Sequence, residues 1–133
     1  MNRTGKRQIL RLITNGVELE PHEYETVLFL VGLGKNIELI PQSHTPSVKS
    51  PDLYMDGLVW EVKSPVNSTR RAVERLFYRA TGQSSNLVFD LRRIKKNDTS
   101  VSIILEKCFK NTRRVRNMYI ITKDGNINRY RKR

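Results

Sequence analysis

The sequence predicts an α/β domain with a mixed sheet flanked by helices. Two observations carry this reading. Segments with apolar residues at helical spacing alternate along the chain with short apolar runs suited to strands. An Asp-Gly pair at residues 56–57 joins two such runs, the strongest short-range hairpin signal. The 133 residues suit a single domain, 1–133, with no internal repeat or low-complexity linker. The basic ends, residues 1–7 and 129–133, are expected to fray.

Taken in order, Ile9–Ile13 reads as a short helix or strand before a turn at Asn15-Gly16. Pro21–Gly34 reads as a helix: Pro21 suits its first position, and Glu23, Val27 and Val31 form one stripe. Asn36–Ile40 is a short strand, and Pro41–Ser50 a polar loop. Asp52–Met55 and Leu58–Lys63 are the arms of the hairpin, and Asp56 is explained by its place in the turn. Thr69 can cap a helix reaching Thr81, with Val73, Leu76, Phe77 and Ala80 inward. Leu87–Leu91 is a buried strand, Ser100–Asn111 a helix, and Met118–Thr122 a last strand before a turn at Asp124-Gly125.

Lys plus Arg total 25 against 13 acids, a net charge of +12. That balance points to a polyanion, because each neutralised phosphate releases counterions. No apolar run approaches the roughly 18–20 residues of a membrane span, and no signal-peptide pattern follows the basic start. The one cysteine, Cys108, excludes an internal disulfide and a Cys-rich zinc site; its apolar neighbours predict a buried thiol.

Counting outward from the turn, Met55 faces Leu58, Tyr54 faces Val59, Leu53 faces Trp60 and Asp52 faces Glu61. Lys63 joins the last pair on the same face. Two adjacent carboxylates repel unless neutralised, and oxygen-only ligands suit a divalent cation: magnesium, with manganese or zinc as alternatives. Such a cation beside an amine is what phosphodiester cleavage requires. The competing reading is a solvated strand face on which Lys63 is only a salt-bridge partner. The opposition of the acids and the basic chain favour chemistry.

Pro51-Asp52 followed by Glu61-Val62-Lys63 resembles the PD-(D/E)xK nuclease signature. A longer set of motifs resembles the C-terminal tRNase domain of CdiA-type contact-dependent growth inhibition toxins. It comprises Lys49-Ser50-Pro51-Asp52, Met55-Asp56-Gly57, Trp60 to Pro65, Gln83-Ser84 and Phe89-Asp90-Leu91-Arg92-Arg93, within a likeness over about Pro21–Thr122. The resemblance implies a restriction-endonuclease-like core and metal-dependent RNA cleavage, with tRNA favoured and DNA as the alternative substrate. It also implies a cognate immunity protein and action in the bacterial cytoplasm of a host or target cell. The expected catalytic residues are Glu23, Asp52, Glu61 and Lys63, with Asp52, Glu61 and Glu23 on the metal. Glu23 is chosen because its stripe faces the sheet, against the alternative of a first-turn carboxylate favoured by the helix dipole; Glu38, His22 and His44 are weaker candidates. Gln83, Arg92 and Arg93 are expected at the substrate, with Arg71, Arg75 and Arg79 as a phosphate-tracking stripe. Arg113-Arg114 with Arg116 forms a further basic cluster. Tyr54 and Trp60 could stack on bases, although Trp60 belongs to the apolar face.

Overall fold

The computed structural model describes residues 11–45 and 49–133. The hairpin stands near the middle of a sheet of seven strands, and three helices pack on that sheet among the described residues. In chain order the elements are β1 (Leu12–Ile13), α1 (Pro21–Gly32), β2 (Ile37–Leu39), β3 (Leu53–Met55) and β4 (Leu58–Lys63). They continue with α2 (Arg70–Ala80), β5 (Asn86–Asp90), α3 (Thr99–Lys110), β6 (Asn117–Ile121) and β7 (Ile127–Arg131).

Spatial order equals chain order. β2–β3, β3–β4 and β6–β7 pair antiparallel through direct connections, whereas β4–β5 and β5–β6 pair parallel and need the crossover helices α2 and α3. Two crossovers of one hand, stepping the same way across a sheet, put both helices on one face. α1 covers the other face. Its core joins Val27 and Leu30 to Ile37, Leu39, Leu53, Met55, Trp60, Val88 and Ile121. The opposite core joins Val73 and Phe77 to Leu87, Phe89, Leu105, Met118 and Ile120, with the Phe77 and Phe89 rings stacked 6.0 Å apart. Trp60 is a core residue whose Nε1 donates to the Met55 carbonyl at 2.8 Å, so it offers no stacking platform. Cys108 is buried, as its neighbours predict.

The helix ends follow local chemistry. At α1, the Glu20 N–H donates to Glu23 Oε1 at 2.8 Å, half of a capping box, and Pro21 occupies the first turn. The helix stops two residues before the expected Gly34, which turns the chain at φ +94°. Thr69 Oγ1 accepts from the Ala72 N–H and starts α2.

Leu12–Ile13 is a strand, one of the two forms open to that segment, and pairs parallel to β2. One expectation is revised: the end of the chain is not frayed through residues 129–131. Arg129, Tyr130 and Arg131 belong to β7, which pairs with β6 over five residues while Tyr130 packs on Phe109. The density of charge hides that alternation in the sequence. Residues 1–7 and the start of the Ile9–Ile13 segment lie outside the described residues. No helix among the described residues is long and apolar enough to cross a membrane.

Candidate active site

The hairpin turn brings the acids together. Asp56 and Gly57 both take positive φ, +57° and +77°, which a type I′ turn requires. Pairing runs Met55–Leu58, Tyr54–Val59 and Leu53–Trp60, and there the ladder ends. Beyond it the Asp52 N–H donates to the Trp60 carbonyl at 2.9 Å, and the Asp52 carboxylate takes over the next backbone donor. Oδ2 accepts from the Val62 N–H at 2.8 Å. This contact sets Asp52 beside Glu61, close enough for the Asp52 charge to act on Glu61. Lys63 Nζ lies 3.0 Å from Glu61 Oε2.

The electrostatics of this pair are unbalanced. Glu61 is 2% exposed. Burial, and then the Asp52 charge, push its pKa up to about 7 despite the Lys63 ammonium. Burial also raises Asp52, against the Val62 N–H, Glu61 and Lys63 that pull it down; the Glu23 charge adds to the rise. Glu61 Oε1 is buried and accepts no hydrogen bond. Two neighbouring buried carboxyl groups need either a shared proton or a cation, and among the described residues one ammonium, that of Lys63, pairs with them.

A cavity of about 250 Å³ opens beside the pair, between the start of α1, the entry to β3 and the end of β4; Asp52 lines it, and Glu61 is buried behind that lining. Asp52, Lys63, Glu23, His22, Ser64 and Leu76 are among its lining. The pattern of alternating strand residues reaches Lys63 but gives no role to Ser64, whose Oγ is buried without a partner. His22, a weaker candidate from the sequence, is on the cavity wall.

The other expected residues divide. Glu23 is on the cavity wall, but its Oε1 also serves the capping box. Among the described residues no three His, Cys, Asp or Glu side chains stand as a ready metal cage, so Glu23 does not close a three-carboxylate set with Asp52 and Glu61. Arg93 is exposed at the rim, and its Nη1 donates to the Ser64 carbonyl at 3.0 Å. Arg75 and Arg79 line a shallow groove with Pro65, Val66, Asn67 and Leu76; it shares Pro65 and Leu76 with the cavity and so continues it. Arg71 is exposed on the same helix.

Arg92 is engaged within the fold. Its Nε and Nη2 donate to Asp90 at 3.0 and 2.8 Å, Nη2 also reaches the Glu25 carbonyl, and its guanidinium lies 4.5 Å from the centre of the Phe29 ring. Those contacts fasten α1 to β5 and occupy the side chain. Gln83 is also not brought to the cavity. It lies in the turn after α2, beside Ser84, whose hydroxyl donates to the Val59 carbonyl toward the hairpin-turn end of β4. Glu38 accepts from Asn15, and His44 is exposed in its loop away from the cavity lining.

The sequence of residues 49–127 matches the family described as the contact-dependent growth inhibition CdiA C-terminal domain. The chain belongs to that family. Its fold is also similar to that of a chain from the CdiA-CT/CdiI toxin and immunity complex of Burkholderia pseudomallei. The TM-score is 0.69 at 18% sequence identity, with 91% of this chain and 98% of that chain covered. No curated protein matches the sequence. This CdiA C-terminal domain is therefore a contact-dependent growth inhibition toxin domain, on a mixed α/β fold whose family match contains Asp52, Glu61 and Lys63.

The residues present fit a divalent cation. A buried carboxylate oxygen without a donor, beside a second carboxylate that lines an open cavity, is a donor set that a hard cation satisfies. Magnesium commonly uses one or two protein carboxylates and fills its remaining positions with water and substrate phosphate, so a pair suffices.

Proposed function

We propose that this toxin domain is a metal-dependent endonuclease of PD-(D/E)xK type that hydrolyses phosphodiester bonds in tRNA. The observation that carries the reading is Glu61 Oε1, buried without a donor against Asp52, with Lys63 3.0 Å from the other Glu61 oxygen. Asp52 and Glu61 hold the cation, magnesium for preference, with manganese or zinc as substitutes. When bound, it polarises a phosphoryl oxygen and acidifies water. Lys63 orients the attacking water and offsets negative charge gathering at phosphorus. Glu23, whose charge is felt at Asp52, assists from the cavity wall. Arg93 at the rim and Arg75 and Arg79 along the groove, with Arg71 beside them, hold the strand leading to the cut.

The choice of tRNA rests on family membership together with the basic groove. The similar chain comes from a toxin and immunity complex, which supports a cognate immunity protein here as well. The place of action is the cytoplasm of the cell that receives the toxin.

The test is induction of the chain in a bacterial host without an immunity protein, with end-mapping of total RNA. Wild type is expected to stop growth and leave discrete tRNA fragments; Asp52→Ala restores growth and intact tRNA. Cleavage of plasmid DNA alone by the purified chain with magnesium would move the substrate to DNA. Undiminished toxicity of Asp52→Ala would leave a nucleic-acid-binding module with no catalytic role.

A further inference from the structure

The groove beside α2 leaves most of the chain's charge unused. From Lys107 to Arg133 the one acid is Asp124, at the far end of the β6–β7 hairpin. Within this stretch Arg113, Arg114, Arg116, Arg129, Arg131 and Arg133 are all exposed, and none forms an ion pair among the described residues. The fold gathers them. Arg116 enters β6 with its N–H on the Ser85 carbonyl, and the Lys132 N–H donates to the Arg116 carbonyl. The loop after α3 and the end of the edge strand β7 are thereby clamped side by side. Arg131 is paired with Asn117, next to Arg116. Arg129 lies over the Tyr119 ring, 5.5 Å from its centre. Self-repulsion among unpaired cations on one edge opposes folding, and polyanion binding would relieve it.

This surface is separate from the cavity. Lys63, Phe89, Ile120 and Asn128 share one register line across β4 to β7, and Arg131 is three residues further along β7. Three strand spacings sideways and three residues lengthwise put Arg131 roughly 17 Å from Lys63, backbone to backbone. Along a duplex, roughly 17 Å corresponds to about ten backbone charges.

We infer that the edge formed by Arg113, Arg114, Arg116 and Arg131 is a second nucleic-acid-binding surface, and that the substrate is a folded RNA large enough to bridge it to the cleavage cavity. The inference rests on the nuclease reading only for the identity of the polyanion; the binding surface stands on charge and topology. Short single strands reach the cavity and the α2 groove alone. A folded RNA of tRNA size engages both surfaces and gains affinity that falls steeply with salt.

The test is binding in EDTA, where cleavage is stopped, by fluorescence anisotropy with labelled tRNA and a labelled short oligoribonucleotide over a series of salt concentrations. The Arg113→Gln, Arg114→Gln, Arg131→Gln variant is expected to bind tRNA at least about 10-fold more weakly. Its log–log salt slope should shrink by about two to three, near 0.9 per lost contact. The loss is expected for tRNA and not for the oligonucleotide. Circular dichroism of the variant establishes that it is folded, and a second variant, Arg113→Gln, Arg114→Gln, confined to the loop, repeats the measurement without touching β7. Equal tRNA affinity in wild type and both variants would overturn the inference, as would an equal loss on both RNAs. Variants that lose only capture of an acidic protein would make the edge a protein interface, which also overturns it. Absence of cleavage when magnesium is restored to wild type would fail the nuclease reading and leave the binding result standing.

Discussion

Glu61 and Asp90 stand on adjacent parallel strands, each 2% exposed, yet burial has opposite outcomes for them. Burial would also raise Asp90, but it accepts from the Arg92 side chain, the Thr26 hydroxyl and the Arg92 backbone N–H, and is held below the usual carboxylate range. Glu61 has one ammonium, a second acid against it and an oxygen with no donor, and is raised to about 7. Burial alone therefore does not mark a site. The buried acid whose partners are missing does, since a structural acid left in that state would only cost stability.

The largest expected effects separate the two acids by function. Asp52→Ala and Glu61→Gln should each lower cleavage at least about 10³-fold, on the scale of removing a transition-state electrostatic contact. Circular dichroism should show both folded. Asp90→Asn should leave cleavage per folded molecule within a few-fold of wild type. It should cost roughly 3 kcal/mol in urea unfolding, because Arg92 is left without its counter-charge. Loss of cleavage in folded Asp90→Asn would break the comparison.

The pH dependence sharpens it. In EDTA, folded Glu61 binds a proton up to about pH 7 that the unfolded chain releases near 4.5. The folded state thus holds the extra proton between those values, and stability falls as pH rises through that window. Glu61→Gln should flatten this fall and be at least as stable as wild type at pH 8 in thermal melts. Asp90 behaves oppositely. Its contribution is full above the unfolded value of 3.8 and is lost as pH falls through its lowered folded value.

The smallest effect expected is at the groove. Arg75→Gln with Arg79→Gln should raise KM several-fold with little change in kcat, and reduce the log–log salt slope of kcat/KM by about two. An unchanged slope would remove the groove from the substrate path.

The contrast also shows how far the sequence could be read. The hairpin was legible because Asp-Gly fixes both the turn and the register, so Leu53–Trp60 and its neighbours followed by counting. The convergence of Asp52, Glu61 and Lys63 is local, within twelve residues, and period two suffices to predict it. The engagement of Arg92 was not legible because its contacts with the Glu25 carbonyl and the Phe29 ring form only once α1 packs on β5. β7 was missed because Arg129 and Arg131 dominate its composition, while its stability comes from pairing with β6 and from Tyr130 on Phe109. Gln83 carried an expectation from motif resemblance, which fixes neighbours in sequence and not the end of the sheet on which they emerge.

The most direct measurement is calorimetric titration of manganese or magnesium at pH 8 into wild type, Glu61→Gln and Asp90→Asn. The expected result is one ion per chain for wild type and for folded Asp90→Asn, with affinity at least about 10-fold weaker in Glu61→Gln as a ligand charge is lost. Equal binding by wild type and Glu61→Gln, or no binding by wild type, would contradict the assignment of the lone buried oxygen to a cation.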